Sequence, residues 1–307
     1  MPMKALKSAV KSAIAGVQAH LRSRAHKRSA QHVTRADLAR DFTTLGLAAG
    51  DTVFVHSSLK SIGYIEGGPR AVFEALRDVV GPRGTIVVPT YYLPGGSIYA
   101  TCKMPDYEFD PRVHGTNLGA LPAAFLTFDG VARSIHPTHS VSALGEHAEY
   151  VTRDHHRSPS IFGTGSPWDR CIELNGKVLG VGVTMGPVTF YHVLEDRMGA
   201  SFPLPVRLQE ECRLPCRDWQ GNQIVVPVVP LDPVYMQRRI DNPARKDLQQ
   251  FFWSEFERAG LLTSGKVGAA TSWFIPSRAF YDHLAMMMGQ GLTIYSTPEE
   301  LASRVQA

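Results

Sequence analysis

The sequence predicts an α/β protein whose sheet is covered on both faces, and three observations carry that expectation. Strand-like and helix-like segments alternate from Thr34 onward. Thr85-Ile86-Val87-Val88-Pro89 is a near-continuous apolar run, the pattern of a strand packed on both sides. A single amphipathic stretch separates that run from the earlier β-rich run Thr52–His56, the spacing of a β-α-β unit.

Taken in order, residues 1–33 form an extension in which Leu6, Val10, Ile14, Val17 and Leu21 recur at helical spacing. Lys4, Lys7, Lys11, Arg22, Arg24, Lys27 and Arg28 precede the first acid, Asp37, so the extension reads as a basic amphipathic helix. Packing on the domain or on a partner subunit, as in a homodimer, is its plainest use; a membrane-surface helix and a mitochondrial transit segment are the other readings. Residues 34–307 then read as one domain. Thr34 caps a helix through Leu45 with Asp37 in its first turn. Gly67-Gly68-Pro69 opens a helix with Val72, Phe73, Leu76, Val79 and Val80 on one face, closed by Gly81-Pro82-Arg83-Gly84. The stretch Tyr91–Thr116, rich in Gly, Pro and Tyr, reads as a long functional loop. Val178–Val183 supplies another buried strand, followed by a helix containing Thr189, His192 and Glu195. Strand-like Gln223–Val229 and helices over Lys246–Ala259 and Ala279–Met288 complete the chain.

Composition narrows the class. With 307 residues, 44% hydrophobic and 20% charged, the chain can bury a full-sized core. No apolar run approaches the roughly 20 residues of a membrane span, so a soluble, cytoplasmic protein is expected. Cys102, Cys171, Cys212 and Cys216 lack the spacing of a disulfide framework or a zinc site, which fits a reducing compartment and no bound metal. The net charge of +4 is modest, and nucleic acid is not implied as a partner.

The functional signal is histidine. Of 12 histidines, six fall between His136 and His192, in segments dense with Gly, Pro, Ser and Thr where no periodicity explains them as packing. They stand in Arg133-Ser134-Ile135-His136-Pro137-Thr138-His139-Ser140, in His156 ahead of Gly163-Thr164-Gly165-Ser166-Pro167, and in Thr189-Phe190-Tyr191-His192-Val193-Leu194-Glu195. Ala143-Leu144-Gly145 lies among them, and His56-Ser57-Ser58-Leu59 stands earlier, at the carboxyl end of a strand, where α/β sheets place ligands.

In order and spacing these motifs resemble the antibiotic N-acetyltransferase family, typified by the aminoglycoside 3-N-acetyltransferases, from about Thr34 to about Glu195. The resemblance implies a three-layer α/β/α sandwich of that type, distinct from the common N-acetyltransferase fold. It implies acetyl transfer from acetyl-CoA to an amine of an aminoglycoside or related amino sugar. Because an alkylammonium must lose a proton before it attacks a thioester, a histidine base is required. The match with the family's histidine ahead of the Gly-x-Gly-Ser-Pro loop assigns that base to His156. Glu195, by its motif, becomes the carboxylate that orients it. His136 and His192 are further site residues; His136, pinned by Pro137, holds the acceptor, polarises the carbonyl or bonds a loop carbonyl. The coenzyme is expected against His56, Ser57, Ser58, Leu59, Thr90 and Thr189.

The sequence departs from the family where a polycationic drug would sit. The loop Tyr91-Tyr92-Leu93-Pro94-Gly95-Gly96 carries no acid, and the next is Asp106. A less charged acceptor follows, with a nucleotide-linked amino sugar met by Arg112 and Arg133 as the alternative. A zinc-dependent hydrolase using His136, His139, His155 and His156 is the rival from another class, and a non-catalytic carbohydrate-binding protein is a third reading. No serine sits in a Gly-x-Ser-x-Gly elbow and no cysteine falls in the matched motifs, so direct transfer in a ternary complex is expected. Accordingly, Cys102→Ala and Cys171→Ala should leave turnover per folded molecule nearly intact; lost turnover together with a trapped acetyl-cysteine would show a covalent route instead.

Overall fold

The computed structural model describes residues 32–305, so the basic amphipathic helix expected over Leu6–Leu21 lies outside the described residues. A seven-stranded mixed sheet organises the rest. Its strands, with β1 (His32–Val33) and β3 (Tyr64–Ile65) forming a separate small pair, are β2 (Thr52–Ser57), β4 (Thr85–Pro89), β5 (Ala132–Arg133), β6 (Val141–Gly145), β7 (Lys177–Val181), β10 (Thr263–Val267) and β11 (Ala270–Pro276). The order across the sheet is β10-β11-β7-β2-β4-β6-β5. An antiparallel hairpin, β8 (Cys212–Arg217) with β9 (Gln223–Val228), stands apart.

Alternation along the strands sorts two cores. Val53, Val55, Ile86 and Val88 face a layer made by α1 (Arg35–Leu45) and α2 (Pro69–Val80), while Phe54, Val87 and Val178 face the other. That second layer holds α3 (Pro167–Glu173), α4 (His192–Met198), α5 (Lys246–Arg258) and α6 (Ser277–Gly289). The result is the three-layer sandwich that the sequence implied. The helix ends follow local chemistry. Thr34 and Asp37 close a reciprocal capping box at the start of α1, Gly46 ends it in the left-handed region, and Pro69 occupies the first turn of α2.

This topology places the site. β2 pairs in parallel with β4 on one side and β7 on the other. The connection containing α2 crosses one face and that containing α3 the opposite face, so a crevice opens where the winding reverses, beyond the carboxyl ends of β4 and β7. The loop expected over Tyr91–Thr116 runs there, carrying only the short helix Ile98–Cys102, which Ser97 caps. Among the described residues no helix is long and apolar enough to cross a membrane.

Two glycines allow strands to approach closely. Gly145, one of the family-like motif residues, ends β6 at φ 128°, and a Cβ there would lie 2.0 Å from the Gly84 carbonyl. Gly180 lies opposite Trp273 in β11, whose ring covers its face and whose Nε1 donates to the Val183 carbonyl at 2.9 Å. A Cβ at Gly180 would stand 2.3 Å from the indole. Gly180→Ala is therefore expected to lower stability by about 1–3 kcal/mol through overpacking, read from the urea midpoint at unchanged slope.

Candidate active site

The exit of β4 is fixed first. Thr90 is fully buried, its hydroxyl shared with Ser142 at 2.6 Å. Its carbonyl accepts from Arg133 at 2.6 Å, and the same guanidinium donates to the carbonyls of His114 and Gly115 and to the Ser140 hydroxyl. No carboxylate is among these partners, and burial draws Arg133 down to about 10. Arg133 thus ties strand to loop through carbonyls, and Arg112 is held on Asp110. Arg133 is therefore not free to meet a phosphate as the sequence suggested, whereas Arg112 is exposed, and Thr90, expected against the coenzyme, is fully buried.

The histidine cluster resolves into different jobs. His136 Nδ1 accepts the backbone N–H groups of Thr138 and His139, at 3.3 and 3.1 Å, and its ring stacks on His155 at 4.4 Å. His136 thus bonds its own loop through two N–H groups and not, as one expectation had it, through a loop carbonyl. His155 links the Ser134 hydroxyl to the Ile161 carbonyl, at 3.1 and 2.9 Å. Burial drives His155 and His56 down to about 3, and His136 and His139 well below the usual range, so all four are neutral near pH 7. His56 points to the same face as Phe54 and its Nε2 has no partner.

A cavity of about 520 Å³ lies over the crevice. Tyr91, Tyr99 and Asn117 from the long loop, His139, Phe162, Thr189 and His192 line it, and Arg239 and Asp241 close the far wall. Thr189 accepts from Trp168 Nε1 at 2.8 Å. His192, the first residue of α4, donates from Nδ1 to Glu195 Oε2 at 2.9 Å, one helical turn on. Glu195 Oε1 accepts from the Tyr295 hydroxyl, also at 2.9 Å. Burial alone would raise Glu195, yet His192, Arg207 and Tyr295 together hold it below the ordinary carboxylate range, so it stays ionised.

The partner of Glu195 is therefore His192 and not His156. His156 lies in a separate hollow of about 350 Å³ beside Trp219, Arg153 and Asp154, and its Nδ1 has no partner. The reason is local. A short 3-10 turn, His155–Arg157, sends successive side chains in divergent directions, and the buried one is His155. Ser57, Ser58 and Leu59 do not line the large cavity. They end β2, where the Ser58 N–H donates to the Val181 carbonyl, and lead into Ser61. Ser61 lines a neighbouring hollow of about 470 Å³ with Gly182, Thr184, Lys246, Gln249 and Trp253. The turn Thr184–Gly186 and Gln249, which donates to the Ile240 carbonyl, separate the two spaces.

Asp241 is, among the described residues, the one carboxylate on the wall of the large cavity, and Arg239 grips it through Nε at 2.5 Å and a second nitrogen. Sequence reasoning missed this pair and Tyr295, none of which stands in a pattern that sequence alone ties to the site; His139 stood in a quoted motif but was given no part in acetyl transfer. Among the described residues no group of three or more His, Cys, Asp or Glu side chains is placed to hold a metal ion.

A family model described as aminoglycoside 3-N-acetyltransferase matches residues 54–289. Aminoglycoside N(3)-acetyltransferase VII of Streptomyces paromomycinus is 38% identical over 190 residues, covering 57% of this chain and 66% of that protein. The chain thus spans slightly under two thirds of that relative's length. Among solved structures, AAC-IIIb in a binary complex with CoASH superposes at a TM-score of 0.71 with 27% identity, covering 87% of this chain and 100% of that one. Aminoglycoside acetyltransferase AAC(3)-Xa follows at 0.69 with 30% identity, over 82% and 91% of the two chains.

The neutral buried histidines make stability depend on pH. With folded values depressed, the unfolded chain binds the extra protons as pH falls below 6.5, so stability is present above that value and is lost toward about 3. Each such histidine adds a slope of about 1.4 kcal/mol per pH unit in that window. His155→Gln should flatten the fall in urea-unfolding free energy between pH 6 and pH 4 by about that slope; an unchanged slope would mean that His155 is charged in the fold.

Proposed function

Because the chain belongs to the aminoglycoside 3-N-acetyltransferase family, we propose that it transfers an acetyl group from acetyl-CoA to an amine of an aminoglycoside or related amino sugar, with His192 as general base. The observation that carries this is the commitment of His192 Nδ1–H to a buried, ionised Glu195, on a side chain that lines the large cavity. With Nδ1 occupied as a donor, the lone pair belongs to Nε2, the atom left to meet an acceptor.

The chemistry follows from that tautomer. The acceptor nitrogen bonds to the thioester carbonyl carbon as its proton passes to Nε2; the carbon–sulfur bond then breaks, and the imidazolium returns a proton to the departing thiolate. Glu195 stabilises the imidazolium while it exists. No covalent acyl-enzyme is required, and transfer is direct in a ternary complex. The adjoining hollow with Lys246, Gln249 and Trp253 suits the coenzyme. There Lys246 offers a cation to phosphate, and Ser61, two residues beyond the Ser57-Ser58-Leu59 turn, lines the same hollow. The relative solved with CoASH supports a coenzyme site in this fold.

The acceptor's character is set by Asp241. Paired to Arg239, it offers little net negative charge, and the remaining wall is largely apolar and neutral. An acceptor with few ammonium groups besides the reacting one is favoured over a heavily cationic drug. A nucleotide-linked amino sugar loses the support of Arg133, which is buried and engaged with carbonyls, and Arg112 does not line the large cavity.

A thiol-release assay with acetyl-CoA against aminoglycosides and simple amino sugars tests the proposal. His192→Ala should lower kcat by about 10²–10⁴, whereas His156→Ala should keep turnover within about threefold of the parent. Full activity in the His192 variant, or its loss in the His156 variant alone, would return the base to His156; no thiol release with any amine would overturn the acetyltransferase reading itself.

A further inference from the structure

We infer that Tyr295 is a positioning residue of the site: through Glu195 it fixes the orientation of His192, making the working unit a three-member chain rather than a pair. The inference rests on the reading of His192 as the base. Tyr295 lies beyond residue 289, where the match to the family ends, so that match assigns it nothing.

The geometry is specific. Glu195 is buried, and its two oxygens are divided, Oε2 to His192 and Oε1 to the Tyr295 hydroxyl. A buried carboxylate with one oxygen unsatisfied would gain by rotating about its terminal torsion or by taking up a proton, and either change would release His192. The tyrosine hydroxyl removes both options. Because it donates, it favours the ionised carboxylate, and because it comes from a different segment, it fixes the carboxyl plane in space.

The segment carrying Tyr295 is itself anchored for this. The Tyr295 ring is fully buried and packs edge-on to Tyr235 at 5.7 Å. Its carbonyl accepts from Arg238 at 3.2 Å, and Ile240 N–H donates to the carbonyl of the preceding Ile294. Arg238 and Ile240 flank Arg239, and Ile240 and Ile294 line the cavity. One backbone clasp therefore sets both the hydroxyl behind the base and the wall that faces the acceptor.

Replacing the hydroxyl alone gives the test. Tyr295→Phe, which keeps the ring, should lower kcat about tenfold, the worth of one hydrogen bond to a charged group, while KM for acetyl-CoA changes less than about twofold. Without that donor the carboxylate binds the imidazolium proton more tightly, so the acid limb of the kcat profile should move to higher pH. In a Glu195→Gln background the same change should cost nothing further. Equal turnover in Tyr295→Phe, or effects of the two substitutions that multiply independently, would overturn the inference. A readout that needs no turnover separates it from the activity itself. The low-field proton resonance of His192 Nδ1–H should shift in Tyr295→Phe even if no acceptor is acetylated, and an unmoved resonance would sink the inference whatever the activity.

Discussion

The carboxylate of Glu195 is the charge around which the site is arranged. A buried anion in a protein interior costs several kcal/mol unless donors and opposite charges surround it. Here His192 supplies a donor from the next turn of the same helix and Tyr295 another from a distant loop. Arg207 adds a positive field while it bonds Asp196 at 2.5 Å. Each of these comes from a different part of the chain, so the carboxylate, once buried, is fully compensated only when α4, the loop after α6 and the segment before β8 are all in place. The compensation of one charge thus depends on the completed tertiary fold, and so does the tautomer of His192.

The remaining histidines show what happens where no such anion is supplied. His136, His139 and His155 crowd one another with no carboxylate among their bonded partners, and burial keeps them uncharged. As neutral rings each can accept at one nitrogen and donate at the other, and His136 and His155 spend those capacities on the backbone and a hydroxyl of the Ser134–Ile161 region. Arg133 does the same work with carbonyls and the Ser140 hydroxyl. Of these histidines only His139 lines the large cavity, where His192, Arg239 and Asp241 are, tyrosines aside, the other ionisable side chains among the described residues.

Much of the architecture was legible in the sequence because it is written locally. The Thr34–Asp37 box, Pro69 at a helix start, the buried run of β4 and the strand after Gly176 declare themselves within a few residues, and the structure has each of them. Strands β6, β10 and β11 and the helix α3 were not read, since their pairing is set by partners far along the chain; Gly180 in β7 is small because Trp273 covers it. At the site, the His192–Glu195 spacing was visible, but the motif match attached Glu195 to His156. Adjacent histidines in a turn diverge, and nothing in a linear string says which of His155 and His156 is buried or whether either reaches the cavity. Tyr295 and Arg239 were illegible for the same reason, because their roles depend on loops that meet only in three dimensions.

Charge placement also bears on the acceptor. A cavity that binds a polycation through several carboxylates gains affinity from each pair, and its loop would carry acids where this one carries Tyr91, Tyr92 and Leu93. With Asp241 already gripped by Arg239, bringing a second ammonium group to that exposed carboxylate would mean competing with a guanidinium held at 2.5 Å. The aromatic faces of Tyr91 and Tyr99 instead favour the apolar face of a sugar ring, with affinity that grows with contact area rather than with charge. The same wall is held by the Ile240–Ile294 clasp that carries Tyr295, so the shape of the cavity wall and the orientation of His192 are two consequences of one packed loop.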